Sequence, residues 1–295
     1  MNKSSNNYQI YNEIIRINTN AILDDSLINA MKSDNIKNII IMPHNNNPYI
    51  SPLLLQQIPS NITSLTIYGG KSNMLAYINS NIITINLNIF NITTHIFNYI
   101  PYTVQNITIS NDIIYKHSTY ILNKLPPSIN SIYISRNNNY NSPLYNNLNN
   151  LPVLLCKLII QKLTNANTLP PIKELYIPYQ DYNYYRIEHK IYSLPNTITT
   201  LEIGKHINLI NSLSYNIQNI IINYTLIDII NIQNININKY PNLKYIYVMI
   251  PTNKKTKKIK NMIKYLMQQY CGKINIYLYE RQTIYNLCNV NSYWI

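Results

Sequence analysis

The side chains here with the chemistry for acid–base work, metal ligation or thiol catalysis are eleven carboxylates, five histidines and three cysteines, in a chain of 295 residues. Cys156, Cys271 and Cys288 are far apart, odd in number and without C-x-x-C spacing, so neither a disulfide framework nor a zinc site is indicated. His44, His95, His117, His189 and His206 never pair at metal spacing, and Glu188-His189 is not an H-E-x-x-H helix motif. Glu174 and Glu202 sit on neighbouring copies of a repeated segment and could approach one another. Two close carboxylates suit glycoside hydrolysis. On a strand face, however, solvated or Lys-paired acids are the default reading. No nucleophile elbow is present, and Gly69-Gly70 reads as a turn rather than a phosphate loop. An enzyme is therefore the least favoured class, and no catalytic residue, cofactor or metal ligand is assigned.

Composition narrows the partner instead. Charged residues are 12% of the chain against 46% hydrophobic, and the chain has 29 Tyr but 2 Phe and 1 Trp. Codons for Asn, Ile, Tyr and Lys are rich in A and T, so single-residue enrichment reflects an AT-rich genome as readily as function. The net charge of +13 invites a nucleic-acid or anionic-surface partner. That charge gathers at Lys254, Lys255, Lys257, Lys258, Lys260 and Lys264, the candidate residues for such a partner. The alternative for these lysines is a solvated helix face. Ile259, Met262, Ile263, Leu266, Met267 and Tyr270 recur at helical spacing beside them and predict an amphipathic helix, with Gly272 as its stop. The polar N-terminus lacks a signal-peptide core, and no long apolar run predicts a transmembrane helix. The expected location is cytoplasmic, in a reducing compartment.

The elements that would position these side chains are repeats. A kernel of apolar, two others, apolar, one other, apolar recurs ten times: Ile36/Ile39/Ile41, Ile62/Leu65/Ile67, Ile82/Ile85/Leu87, Val104/Ile107/Ile109, Ile129/Ile132/Ile134, Leu155/Leu158/Ile160, Ile172/Leu175/Ile177, Ile198/Leu201/Ile203, Ile217/Ile220/Ile222 and Leu243/Ile246/Val248. A weak eleventh copy is Cys271/Ile274/Ile276. Last anchors follow one another at 17 to 28 residues, mostly within the roughly 20–29-residue period of leucine-rich repeats. The last two anchors lie two apart and share one face of a short strand. One unit cannot bury that face, whereas stacked units make a parallel sheet over a continuous core. Pro59, Pro101, Pro126, Pro152, Pro170, Pro195 and Pro241 precede the strands, where a residue without an N–H belongs in a turn. The segments between strands lack helical periodicity, which predicts irregular or 3₁₀ turns on the convex side.

The predicted fold is an α/β or β-rich repeat solenoid, leucine-rich-repeat-like, with one short parallel strand per repeat. Residues 1–35 are read as an N-terminal cap with a strand at Ile15-Arg16-Ile17 and a short helix after Asp24-Asp25-Ser26. Residues 36–250 are the solenoid, and 251–295 a C-terminal helix–strand cap and tail. The tail, ending Tyr293-Trp294-Ile295, either packs on the cap or offers an apolar segment to a partner.

Tyr140-Asn141-Ser142-Pro143-Leu144, followed by Leu151-Pro152 and a strand, resembles the FNIP repeat, a relative of the leucine-rich repeat. That repeat runs Phe-Asn-x-Pro-Leu, a short spacer, then Leu-Pro-x-Ser-Leu/Ile-Thr-x-Leu-x-Phe/Ile-Gly. Leu194 to Gly204 and Ile58 to Gly69 match its second half, and Ile50-Ser51-Pro52-Leu53 is a degenerate first half. The resemblance covers roughly residues 36–250. It implies a repeat scaffold of the kind found in slime moulds and giant DNA viruses and, if the chain is viral, a location in host cytoplasm or virion. Some relatives carry an N-terminal F-box for ubiquitin-ligase recruitment, but residues 1–35 show no Leu-Pro-x-Glu opening.

Residues between the anchors point to the open face of the sheet. In the first half they are small and polar, from Asn38 to Thr108; from Tyr133 onward they include Ile159, Tyr176, Glu202, Ile221, Tyr245 and Tyr247. Tyr-rich faces suit protein recognition, and these seven residues are the candidate partner site. The bland reading is an exposed sheet on which tyrosine is favoured by β-propensity alone. The expected function is a non-enzymatic scaffold binding a protein partner through this face. Two alternatives are a structural or assembly component of a large DNA virus particle, and a basic accessory protein binding nucleic acid through the Lys-rich helix.

Overall fold

A computed structural model describes residues 8–19, 21–43, 50–69, 72–78, 81–88, 96–109, 124–134, 148, 151–160, 169–177, 194–203, 213–223, 239–249, 261, 264–265, 268, 270, 272–280 and 283–286. The chain divides into two compact units, Met1–Leu155 and Cys156–Ile295.

In the first unit, β1 (Tyr8–Tyr11) pairs antiparallel with β2 (Ile14–Asn18) across a turn in which Asn12 takes φ 50°. Asn is among the few residues that tolerate that left-handed conformation. Parallel strands follow in chain order: β3 (Asn38–Met42), β4 (Ser64–Tyr68), β5 (Thr84–Asn88), β6 (Asn106–Ile109) and β7 (Ser131–Ile134). Helix α1 (Asp25–Lys32) starts where Asp24 Oδ1 accepts the Leu27 N–H at 2.8 Å, and it buries Leu27 and Met31. Helix α2 (Pro52–Gln56) begins on proline, which suits a first helical position, and 3₁₀ turns span Ser72–Tyr77 and Ile96–Tyr99. The described parts of the connections are thus short helices and 3₁₀ turns, in line with the lack of sustained helical periodicity.

The second unit repeats the scheme. Strands β8 (Lys157–Ile159), β9 (Glu174–Tyr176), β10 (Thr200–Ile203), β11 (Asn219–Asn223), β12 (Tyr245–Met249) and β13 (Asn275–Glu280) run parallel, and β14 (Thr283–Asn286) returns antiparallel to β13. Asn261, Lys264, Tyr265, Gln268 and Tyr270 are helical, so the β12-to-β13 connection is a strand–helix–strand crossover. Gly272 follows at φ 90°, the left-handed helix end that glycine adopts at no steric cost. Among the described residues, no helix is long and apolar enough to cross a membrane.

Every kernel anchor with a described side chain is buried, from Ile36 to Ile276. Each fully buried Ile or Leu contributes about 1.5–3 kcal/mol of transfer free energy relative to exposure. The eleventh copy is corrected by register. Ile276 lies opposite Ile246 and Leu278 opposite Val248, so Ile276 is the middle anchor of β13 and not the last. A two-residue slip keeps every side chain on its face, so alternation alone cannot fix that register.

Two hydrogen-bond ladders hold the rungs together. The carbonyl after most first anchors accepts two successive N–H groups from the next rung. Lys37 O takes those of Thr63 and Ser64, Thr63 O those of Ile83 and Thr84, and Lys173 O those of Thr199 and Thr200. The second ladder uses the residue just before the first anchor. Thr103, Ser128 and Thr197 donate their hydroxyls to the carbonyls of Ile82, Val104 and Ile172. Asn81, Asn216 and Asn242 reach the carbonyls of Ser60, Asn196 and Tyr215 with their amides. Asn61 Nδ2 lies 3.0 Å from the carbonyl oxygens of Met31, Ser33 and Ile36, and so ties the end of α1 to the next rung. At Leu154 and Pro171 the same position holds a side chain that cannot donate, and Leu154 is 65% exposed.

The open face of the second unit as a candidate binding surface

Strands β8 to β13 place two outward rows side by side. One row runs Lys157, Glu174, Thr200, Asn219, Tyr245, Asn275; the other runs Ile159, Tyr176, Glu202, Ile221, Tyr247, Tyr277. Six of the seven residues expected to form the partner site therefore share this face. The seventh, Tyr133, lies on β7 in the first unit and is partly exposed. The rows add Tyr277, which the sequence reading left out because it anchored β13 two residues early. Lys273-Ile274-Asn275-Ile276-Tyr277 alternates without a break, so alternation places Tyr277 on the outward face but not opposite Tyr247.

Glu174 is the hub of the first row. Its Oε2 lies 3.7 Å from Lys157 Nζ and accepts the Tyr176 hydroxyl at 3.1 Å. Lys157 Nζ also stands 4.7 Å from the centre of the Tyr176 ring, within cation–π reach. The ion pair is partly exposed, and such pairs contribute about 0–1 kcal/mol. Burial, then the charge and hydrogen bond of Glu174, then Glu202 and Tyr247, hold the Tyr176 phenol well above the ordinary tyrosine range. It stays protonated at any physiological pH and remains a donor.

At the other end of the face three tyrosines cluster. Tyr247 and Tyr277 stack at 5.2 Å, and Tyr245 tilts against both at 6.2 and 6.0 Å. Such pairs add about 0.5–1.5 kcal/mol beyond the area they bury. Burial and the neighbouring phenols raise the Tyr247 pKa.

Glu202 lies between these two groups and departs from expectation. It is neither solvated nor Lys-paired. Only 8% of its surface is exposed; its backbone carbonyl accepts the Ile177 N–H, but no hydrogen bond or ion pair to its carboxyl is found among the described residues. Burial lifts its carboxyl to about 7. Thr200, its neighbour along β10, is satisfied by the Asn219 amide at 2.8 Å. The register sets Glu174 opposite Thr200 and Tyr176 opposite Glu202, so the two acids occupy different rows rather than facing as a carboxylate pair.

The Lys cluster is described only at Lys264, which is exposed together with Asn261 and Gln268, while Tyr270 is buried. Lys254, Lys255, Lys257, Lys258 and Lys260 lie outside the described residues. Cys156 is the free thiol of the described residues. No group of three His, Cys, Asp or Glu that could hold a metal ion occurs among them.

No family model and no curated protein matches the sequence. Among solved structures, the chain is similar to the leucine-rich repeat-containing protein LegL7 from Legionella pneumophila, with a TM-score of 0.58 and 16% identity over 86% of this chain and 98% of that one. Likeness at that identity speaks to the fold alone, and the fold is leucine-rich-repeat-like.

Proposed function

We propose that the chain is a non-enzymatic recognition scaffold that binds a protein partner through the open face of its second unit. The observation that carries this reading is the grouping of Tyr176, Tyr245, Tyr247 and Tyr277 on two adjacent rows around a buried acid. Tyrosine brings large contact area at low conformational cost and a polar tip, the make-up of interface anchors. The fold supports it, since leucine-rich-repeat-like sheets present long rows of side chains. Membership of the FNIP family is part of the proposal, supported by Leu194–Gly204 and by the Thr197 hydroxyl bond at its x-Ser position. The free Cys156 suits a reducing cytoplasmic setting. Affinity purification from the native source, wild type against the Tyr176→Ala plus Tyr247→Ala variant, tests the reading. Loss of one co-purifying protein with folding intact supports it, and unchanged recovery sinks it.

A second reading concerns the crossover helix. The exposure of Lys264 favours an anionic partner, nucleic acid above all, held by Lys254, Lys255, Lys257, Lys258, Lys260 and Lys264. Binding to a DNA duplex should then weaken steeply with salt and vanish when the six lysines are neutralised. A flat salt response rules it out.

A further inference from the structure

The face already seats one cation in a recognisable way. Lys157 rests between the Glu174 carboxylate, 3.7 Å away, and the Tyr176 ring, 4.7 Å away. The same parts occur once more, one strand along. Glu202 is a carboxyl next to Tyr176 on one side and Ile221 on the other, with Tyr247 and Tyr277 beyond in the same row. This second set has no Lys, Arg or His paired to it among the described residues. A side chain more than nine-tenths buried and without a described partner is costly to keep, because an ionised carboxylate there has lost its water and gained nothing in return. Retaining an acid at such a point makes sense if something arrives to pair with it.

Resting on the recognition reading above, we propose that Glu202, with Tyr176 beside it and Tyr247 and Tyr277 beyond Ile221 in the same row, receives a cationic side chain of the protein partner, an arginine before a lysine. Arginine is planar, weakly hydrated and able to lie on tyrosine faces while hydrogen-bonding a carboxylate with two N–H groups. Charge complementarity is local. Once Glu202 is ionised, Glu174 and Glu202 set two negative charges against the one positive charge of Lys157 on this face. The chain as a whole carries +13, but at physiological salt charges beyond about 8 Å are largely screened.

The seat is also sensitive to pH. The carboxyl of Glu202 titrates at about 7, and the groups facing it from neighbouring strands are Lys157, Glu174, Tyr176, Tyr245, Tyr247 and Tyr277. Of these, Tyr176 and Tyr247 are raised from the ordinary tyrosine range. The ionised fraction of Glu202 therefore grows from about a tenth at pH 6 to about nine-tenths at pH 8, and a cation should bind up to about tenfold tighter at the higher pH.

The experiment selects random 12-residue displayed peptides against the full-length chain at pH 8 and measures the winners by fluorescence anisotropy. The chains compared are wild type, Glu202→Gln, and Tyr176→Ala plus Tyr247→Ala, each checked for folding by circular dichroism. The expected winners carry a fixed Arg or Lys. They lose about tenfold or more in affinity to Glu202→Gln, and they tighten from pH 6 to pH 8 on wild type alone. Winners that need the tyrosines but lack a basic residue, or bind Glu202→Gln unchanged, overturn the cation seat and leave the recognition face standing. Peptides indifferent to every substitution, or no enrichment at all, overturn both.

Discussion

In the first unit the outward residues take care of one another: the Asn86 amide donates to Thr66 and the Asn106 amide to Thr84. Among the described residues of the second unit, only the Asn219–Thr200 pair follows that scheme. Beside it stand a partly exposed ion pair, a tyrosine cluster and an acid with no described partner. The cores beneath are the same, Ile and Leu anchors in register. The difference teaches that the rung and its outward positions answer to separate demands. A face of paired Asn and Thr has already used its hydrogen bonds and offers little to a partner. A face of Tyr, Ile and Glu leaves apolar area and a charge unspent.

The comparison can be broken most sharply by substituting one face at a time. Tyr176→Ala with Tyr247→Ala should weaken partner binding by about 4 kcal/mol, on the basis of about 2 kcal/mol per aromatic anchor. Thr66→Ala with Asn86→Ala in the first unit should leave it unchanged. Titration calorimetry with the purified partner distinguishes the two. Next come the cores, where the units should not differ. Ile107→Ala and Ile220→Ala, both at fully buried middle anchors, should each cost about 3 kcal/mol in urea denaturation. A loss confined to one unit would show that the rungs are not equivalent.

A smaller effect concerns Glu202 and carries a definite sign. Its folded pKa, about 7, lies above the unfolded value of 4.5, so the folded chain binds the extra proton between those limits. Stability from this group is then full below about pH 4.5 and falls as pH rises through 7. Glu202→Gln should therefore stabilise the chain by on the order of 2 kcal/mol at pH 8 and by almost nothing at pH 4, as thermal melts at the two pH values would show. The smallest effect lies in the turn ladder. Ser128→Ala removes a 2.8 Å bond to the Val104 carbonyl and should cost about 1 kcal/mol. Leu154→Ser, where no donor exists, should be neutral or mildly stabilising.

These contrasts also mark what was legible in the sequence. The kernel, the proline turns, the Asp24 cap and the Gly272 stop follow from local chemistry, and each is visible in a dozen residues or fewer. The register of β13 was not legible, because a slip by two keeps the apolar face inward and Ile274, Ile276 and Leu278 offer two equivalent choices. Strand β1 went unread because its hairpin depends on Asn12 at positive φ, a one-residue signal in an Asn-rich chain. The burial of Glu202 is a property of three strands at once. Nothing in Thr200-Leu201-Glu202-Ile203 says that Tyr176 and Ile221 will stand on either side.

The carbonyl that accepts two N–H groups after most first anchors has a consequence for how such a chain changes length. Thr63 O meets Ile83 and Thr84, Ile83 O meets Gln105 and Asn106, and Gln105 O meets Asn130 and Ser131, all in the same way. The joint does not depend on which copy supplies the donors. If unequal recombination removed the stretch between Thr63 and Ile83, Gln105 and Asn106 would find the same acceptor, and the next copy would close the gap in frame. Whole copies are interchangeable parts, and the connecting segments already differ in length with the joint intact, whereas a loss of one residue inside a kernel would break the joint and turn its anchors outward. Descendants of this chain should therefore vary by entire copies or between kernels, and the outward residues would be reshuffled as units when copies are exchanged.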